Sequence, residues 1–178
     1  VTTIDRGSLG GFNGRTTVGF STVDFGGGTK KITISVGNSG GGEDYPVELY
    51  LGDADNGGRY IGTFAIKNNG GWDRAYPQTF DLPCRISGTH DISFVINNFC
   101  IFGGFEFEKY DRTYAENSAA DNDNLYGDDY KVNGSCVEEI GNNVVIEFNG
   151  LDFAGGTDKI TVTGRTPLDN CTIQLRVN

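Results

Sequence analysis

One histidine, four cysteines and twenty-four acidic residues are the side chains of this 178-residue chain best equipped for bond-making chemistry. Their spacing supports little of it. His90 sits in a Gly-Thr-His-Asp run with no serine, cysteine or second histidine in motif relation to it. Nucleophilic and metal-binding roles are therefore unsupported, and a structural histidine at a strand start is the expectation. Cys84, Cys100, Cys136 and Cys171 show no CxxC spacing, which argues against zinc. They allow three disulfide pairings among which the sequence does not choose, and free, buried thiols acting as small hydrophobes are the favoured state. The run Asp53-Ala-Asp-Asn-Gly-Gly is similar to a calcium loop but lacks EF-hand spacing and the downstream glutamate, so it reads as a polar hairpin tip. No two acidic residues stand out by context as a hydrolytic pair. The aromatic residues are better placed: Trp72 is the only tryptophan, Tyr76 lies four residues on, and Phe20 sits in an apolar run.

The elements that must position these side chains are strands. Twenty-eight glycines and twelve phenylalanines, with no long apolar helical pattern, point to many short strands joined by tight turns. Segments 16–20, 31–36, 47–51, 60–66, 75–82, 90–96 and 104–108 alternate or cluster β-branched and aromatic residues, and each is read as a strand. Further strands are expected at 144–148, 159–163 and 172–177. Residues 111–129 are rich in Asp, Asn, Glu and Ala, and are read as a linker or a surface loop with one short strand at 112–116.

The chain also repeats itself. Val18–Val36 returns as Ile146–Gly164, with nine of nineteen positions identical, among them Phe20/Phe148, Phe25/Phe153 and Ile32/Ile160. After a two-residue deletion Val47–Leu51 returns as Ile173–Val177. A 128-residue period is a domain length rather than a solenoid repeat. Two domains are expected: residues 1–110, lacking a first strand, and residues 111–178, a linker plus the first half of a second copy. Residues 112–117 are expected to fold back and supply the missing strand, with the surplus strands packed on the first copy or on a second chain as a homodimer. Phe20 and Phe148 are expected at equivalent strand positions. The fold class is all-β, a β-sandwich of jelly-roll type.

A net charge of −10 argues against nucleic acid and anionic membranes, and is compatible with neutral sugars and with calcium. No run approaches the roughly 18 apolar residues that a membrane helix needs. The absence of methionine, the first position included, leads to the expectation that this is a piece of a longer protein.

The segment Gly62–Ile96, with its Gly-Gly-Trp loop and Gly-Thr-His-Asp before an apolar strand, resembles the family 6 carbohydrate-binding modules. Val18–Gly28, similar to the family's W-V-x-Y-x-x-V-D-F strand, and Phe105–Phe107 strengthen the likeness. The resemblance implies a galactose-binding-like jelly roll, secreted or on the bacterial cell surface, which binds polysaccharide without cleaving it beside the catalytic domain of a parent glycoside hydrolase. Binding would rest on aromatic faces, since a pyranose presents axial C–H groups to a π-surface while rim polar groups fix orientation.

In the family a tyrosine of that strand pairs with a tryptophan and an asparagine from a C-terminal loop. Here Phe20 holds the tyrosine position, and Gly103 and Gly104 stand where the usual N-x-D-W has aspartate and tryptophan. Phe20, Trp72, Tyr76, Asn97, Asn98 and Phe102 are then the candidate sugar contacts. The resemblance also implies a structural calcium at Glu116, with Glu106 replacing the missing second carboxylate. Two alternatives stand beside sugar binding: a sandwich that has lost its site and braces a catalytic domain or an oligomer, and a small jelly-roll glycanase, which the single tryptophan disfavours.

Overall fold

The computed structural model describes residues 3–5, 7–12, 14–38, 43–71, 74–97, 99–169 and 171–177. Among the described residues up to 109 there are nine strands: β1 (Thr3–Asp5), β2 (Ser8–Gly10), β3 (Thr16–Asp24), β4 (Thr29–Gly37), β5 (Tyr45–Leu51), β6 (Arg59–Ile66), β7 (Tyr76–Ile86), β8 (Thr89–Ile96) and β9 (Ile101–Lys109). They form two antiparallel sheets. One has the order β1-β2-β9-β4-β7 and the other β3-β8-β5-β6. The expected strands from 16 to 108 are all present, most of them longer by one to four residues at an end.

The two sheets bury a shared interior. Along β4 the buried Ile32, Ile34 and Val36 alternate with partly exposed residues, and along β5 Val47, Leu49 and Leu51 do the same. This period of two is the side-chain alternation of a strand with one face in a core. Ile92, Phe94 and Ile96 of β8 and Phe102 of β9 complete the layer. Each such side chain, fully buried, contributes about 1.5–3 kcal/mol of transfer free energy.

The chain's own N-terminus covers the edge of β9: β2 pairs with it at Leu9↔Phe102, and β1 pairs with β2. The expectation that residues 112–117 supply this strand is not met, because that segment turns and forms no strand. The turn is held by Thr113 N–H donating to Asp111 Oδ1 and by Asn117 Nδ2 donating to the carbonyls of Arg112 and Ala115.

Four short strands follow: β10 (Asn124–Tyr126), β11 (Lys131–Asn133), β12 (Cys136–Glu138) and β13 (Val145–Glu147). β10 pairs with β13 and β11 with β12. No strand forms at 159–163 or 172–177, contrary to expectation, and Phe148 lies just beyond β13 whereas Phe20 lies within β3. All four cysteines are free; Cys100 is buried, which pushes its thiol up to about 12, while Cys136 and Cys171 are exposed.

Residues 111–150 are not a detached linker. Asp123 stands between two guanidinium groups, accepting from Arg85 Nη2 at 2.5 Å and from Arg112 Nη2. Arg112 is 2% exposed and donates further to the carbonyls of Asp121 (3.0 Å) and Asn149 (2.9 Å). Arg85, on β7, also donates to Gly27 O at 2.7 Å, in the β3–β4 turn. Lys30 on β4 meets Asp121 at 2.6 Å. These bonds dock the segment on the end of the sandwich formed by the 25–28 and 87–88 turns.

Candidate functional site

The register places four loops at the opposite end. Thr16 pairs with Ile96, Val36 with Tyr76, Gly37 with Ile101 and Tyr45 with Ile66. The β2–β3, β4–β5, β6–β7 and β8–β9 loops therefore converge there. Of the candidate sugar contacts, Tyr76 and Asn97 belong to this end, whereas Trp72 and Asn98 lie outside the described residues. Tyr76 is half-buried, with Arg74 Cζ 4.9 Å above its ring and Arg74 Nε donating to its hydroxyl at 2.8 Å. Reciprocal bonds between Asn38 and Asn69 pin the β6–β7 loop. Each backbone N–H donates to the other's Oδ1, at 3.1 and 3.0 Å.

Phe102 is placed differently. It is 2% exposed, inside the core, with its ring 5.3 Å from that of Phe94, so no face is open for a sugar to stack on. Gly103 and Gly104 are strand residues of β9. A Cβ at Gly103 would stand 2.5 Å from the Cβ of Ala75, and Gly104 has φ 130°, so neither position houses the aspartate and tryptophan of the N-x-D-W pattern. Phe20 lies four pairs deeper than the loops, opposite Ile92. Its ring meets Phe94 edge-on at 6.1 Å and Phe105 at 4.8 Å, joining the two sheets.

A second aromatic surface went unnoticed in the sequence. On the outer face of the four-stranded sheet the register aligns Gly19, Ser93, Tyr50 and Tyr60 in one row and Thr17, Val95, Glu48 and Thr63 in the next. Tyr50 and Tyr60 are 5.4 Å apart at 65°, and Tyr60 is 53% exposed. Tyr50 OH donates to Glu48 Oε2 at 2.9 Å, which pushes the phenol above its ordinary value, and Tyr60 OH bonds Thr63 Oγ1 at 2.8 Å. The 52–58 turn is fastened to the same sheet: Ser93 Oγ donates to Gly52 O at 2.8 Å and accepts from Ala54 N–H at 3.0 Å. From that turn Asp55 pairs with Arg15, and hydrogen bonds from Thr17 and Arg15 hold its carboxyl below the usual carboxylate range. Two tyrosine rings rimmed by a carboxylate, hydroxyls and a guanidinium can stack on an apolar ring face and bond its hydroxyls. The available signal was the spacing of Tyr50 and Tyr60 around the β5–β6 hairpin, which sets them opposite one another.

A depression of about 460 Å³ is lined by Thr22, Leu51, Gly52, Thr89, His90 and Asp91, none of which offers an aromatic platform for a sugar. His90 Nε2 there bonds Ser87 O at 2.8 Å.

Glu116 and Glu106, the expected calcium ligands, are both exposed. Among the described residues no three His, Cys, Asp or Glu side chains gather at one point. The nearby carboxylates of Asp121 and Asp123 are already engaged by Lys30, Arg85 and Arg112. The same melting temperature is expected in EDTA and in millimolar calcium. A rise in calcium, by linkage to an ion bound only by the folded state, would restore the ion to Glu116.

The profile of the family described as carbohydrate binding module (family 6) matches residues 2–109. The fold is shared with the solved structure of a family 6 module from Clostridium stercorarium in complex with cellobiose. Its TM-score is 0.53 at 19% identity, covering 62% of this chain and 82% of that one. A family 43 glycoside hydrolase, an arabinoxylan arabinofuranohydrolase from Bacillus subtilis in complex with cellotetraose, matches with TM-score 0.50 at 19% identity, covering 58% of this chain and 21% of that one. No curated protein matches the chain.

Proposed function

We propose that this chain, which belongs to carbohydrate-binding module family 6 through residues 2–109, binds neutral oligosaccharide on the outer face of its four-stranded sheet without cleaving it. The observation that carries this reading is the Tyr50–Tyr60 pair, with Tyr60 exposed and Tyr50 half-buried beside it, rimmed by Glu48, Thr63 and the Arg15–Asp55 pair. The module serves as a secreted or cell-surface accessory to a glycoside hydrolase catalytic domain, holding that domain on its polysaccharide. The Clostridium stercorarium and Bacillus subtilis structures contain cellobiose and cellotetraose, so cello-oligosaccharides are the first probes.

The test is calorimetric titration with cellotetraose, together with affinity electrophoresis on β-glucan, xylan and galactan. Tyr60→Ala is expected to weaken binding by about 1–3 kcal/mol, or roughly 5- to 150-fold, as truncation of a central aromatic anchor does. The melting temperature should barely move, because Tyr60 is exposed. Loss of binding in Tyr76→Ala with retention in Tyr60→Ala would move the site to the loop end. A reducing-sugar assay showing turnover would overturn the noncatalytic reading.

The burial of Phe102 and the sheet-bridging position of Phe20 favour one alternative, a structural sandwich with no sugar site. Failure to retard on all three polysaccharides would select it.

A further inference from the structure

The Tyr50–Tyr60 face runs to the edge of its sheet, and a cationic depression lies next to that edge. β6 is the edge strand of the four-stranded sheet, and Tyr60 is its second residue. Its first residue, Arg59, lines a depression of about 250 Å³ at the end of the sandwich, with Arg85, Ser87, Asn122 and the carboxylates Asp121 and Asp123. Successive strand residues face opposite ways, so these two neighbours serve different surfaces. Residues 120–123 form one wall, so the depression exists only because the segment after Lys109 docks there.

Charge at this point runs against the rest of the chain. The net charge is −10, yet here Lys30, Arg59, Arg85 and Arg112 gather around only two carboxylates. Both are already committed, Asp121 to Lys30 and Asp123 to Arg85 and Arg112. Acceptors are short enough that the buried Arg112 Nε has none. Arg59 is exposed and makes no hydrogen bond or ion pair with any described residue. At physiological ionic strength, charges farther than about 8 Å are largely screened. An anion in the depression therefore meets the local excess of positive charge and not the negative total of the chain.

We propose that this depression is a subsite for a carboxylate on a sugar branch, so that the ligand is a neutral main chain bearing a uronic acid substituent. The proposal rests on the reading that the main chain stacks on Tyr50 and Tyr60. The branch leaves the unit stacked on Tyr60, passes the edge of β6 and brings its carboxylate to Arg59. The planar guanidinium fork suits a two-oxygen anion. Ser87, on the turn between β7 and β8, offers its hydroxyl as a further donor. Arg85 and Arg112 stay engaged by Asp123; they fix the wall and contribute positive potential. The acidic remainder of the surface disfavours a polysaccharide charged at every unit and suits a sparsely substituted one.

The experiment titrates the full chain calorimetrically with xylotetraose and with the same tetrasaccharide carrying one glucuronic acid branch, and with cellotetraose as a control for the tyrosine face. The branched ligand is expected to bind about 5-fold tighter at low salt, the upper range for an exposed charge pair. The advantage should shrink in about 0.5 M salt, where the screening length falls to a few ångströms. Arg59→Gln should bring the ratio of the two affinities to about one, and Arg59→Lys should keep part of the difference. Tyr60→Ala should weaken both ligands. Equal affinity for the two tetrasaccharides, with Tyr60→Ala still weakening both, would overturn the branch subsite and leave the tyrosine face standing. So would an advantage that survives Arg59→Gln, or binding of cellotetraose alone. If none of the three ligands binds, the sugar reading itself fails and the subsite with it.

Discussion

Asp123→Asn is expected to be among the most destabilising single substitutions in the chain, by about 3–5 kcal/mol, because it leaves two buried cations without their shared anion. The Arg85 and Arg112 side chains are 6% and 2% exposed and both meet this one carboxylate. Its other bond, from Asn149 N–H at 2.6 Å, ties the segment after β13 to the same point. At roughly 2–4 °C per kcal/mol for a chain of this length, the melting temperature should fall by about 6–20 °C. Lys67→Ala provides the contrast. It breaks the exposed Lys67–Asp44 pair and should cost about 0–1 kcal/mol.

The pH dependence follows from the same geometry. Burial opposes ionisation of Asp123, but the bonds from Arg85, Asn149 N–H and Arg112 outweigh it and hold the carboxyl below its ordinary value. A carboxyl depressed in the folded state contributes stability that is fully present above its unfolded pKa, about 3.9, and is lost as pH falls through the folded value. The difference between wild type and Asp123→Asn should therefore be constant from neutral pH down to about pH 5 and shrink in stronger acid. Denaturant curves at pH 7 that coincide within 1 kcal/mol would show the cluster to be ornamental.

Phe94→Ala is expected to cost a similar 3–5 kcal/mol, by a different mechanism. Phe94 is fully buried, with Phe105, Phe102 and Phe20 at 4.9, 5.3 and 6.1 Å between ring centroids. Removing its ring opens a cavity whose walls are the backbones of two hydrogen-bonded sheets and cannot collapse far. Phe94→Leu should recover more than half of the loss and keep oligosaccharide affinity intact, since the Tyr50–Tyr60 face lies on the other side of the sheet. Equal instability of the alanine and leucine variants would mean that ring geometry, and not volume, holds this layer.

The strands from Thr16 to Lys109 were legible in the sequence because their information is local. β-branched and aromatic residues alternate with polar ones, and glycines mark the turns. The same alternation at 159–163 and 172–177 promised strands that do not form, because a ladder needs a neighbour and no local pattern states whether one is present. Alternation also assigns residues to two faces without saying which face is covered. Phe102, which the family resemblance put among the sugar contacts, is core, while Tyr60, an ordinary strand residue in the sequence, stands in solvent beside Tyr50. Arg112 is the sharpest case. It stands in a segment rich in Asp, Asn and Glu, yet it is among the largest fully buried side chains. The sequence by itself determined the strands from Thr16 to Lys109, the turns between them and the internal repetition, since these depend on near neighbours along the chain. Tertiary structure decided the burial of Arg112, the sealing of Phe102 and the exposure of the second repeat, because each depends on groups that only folding brings into contact.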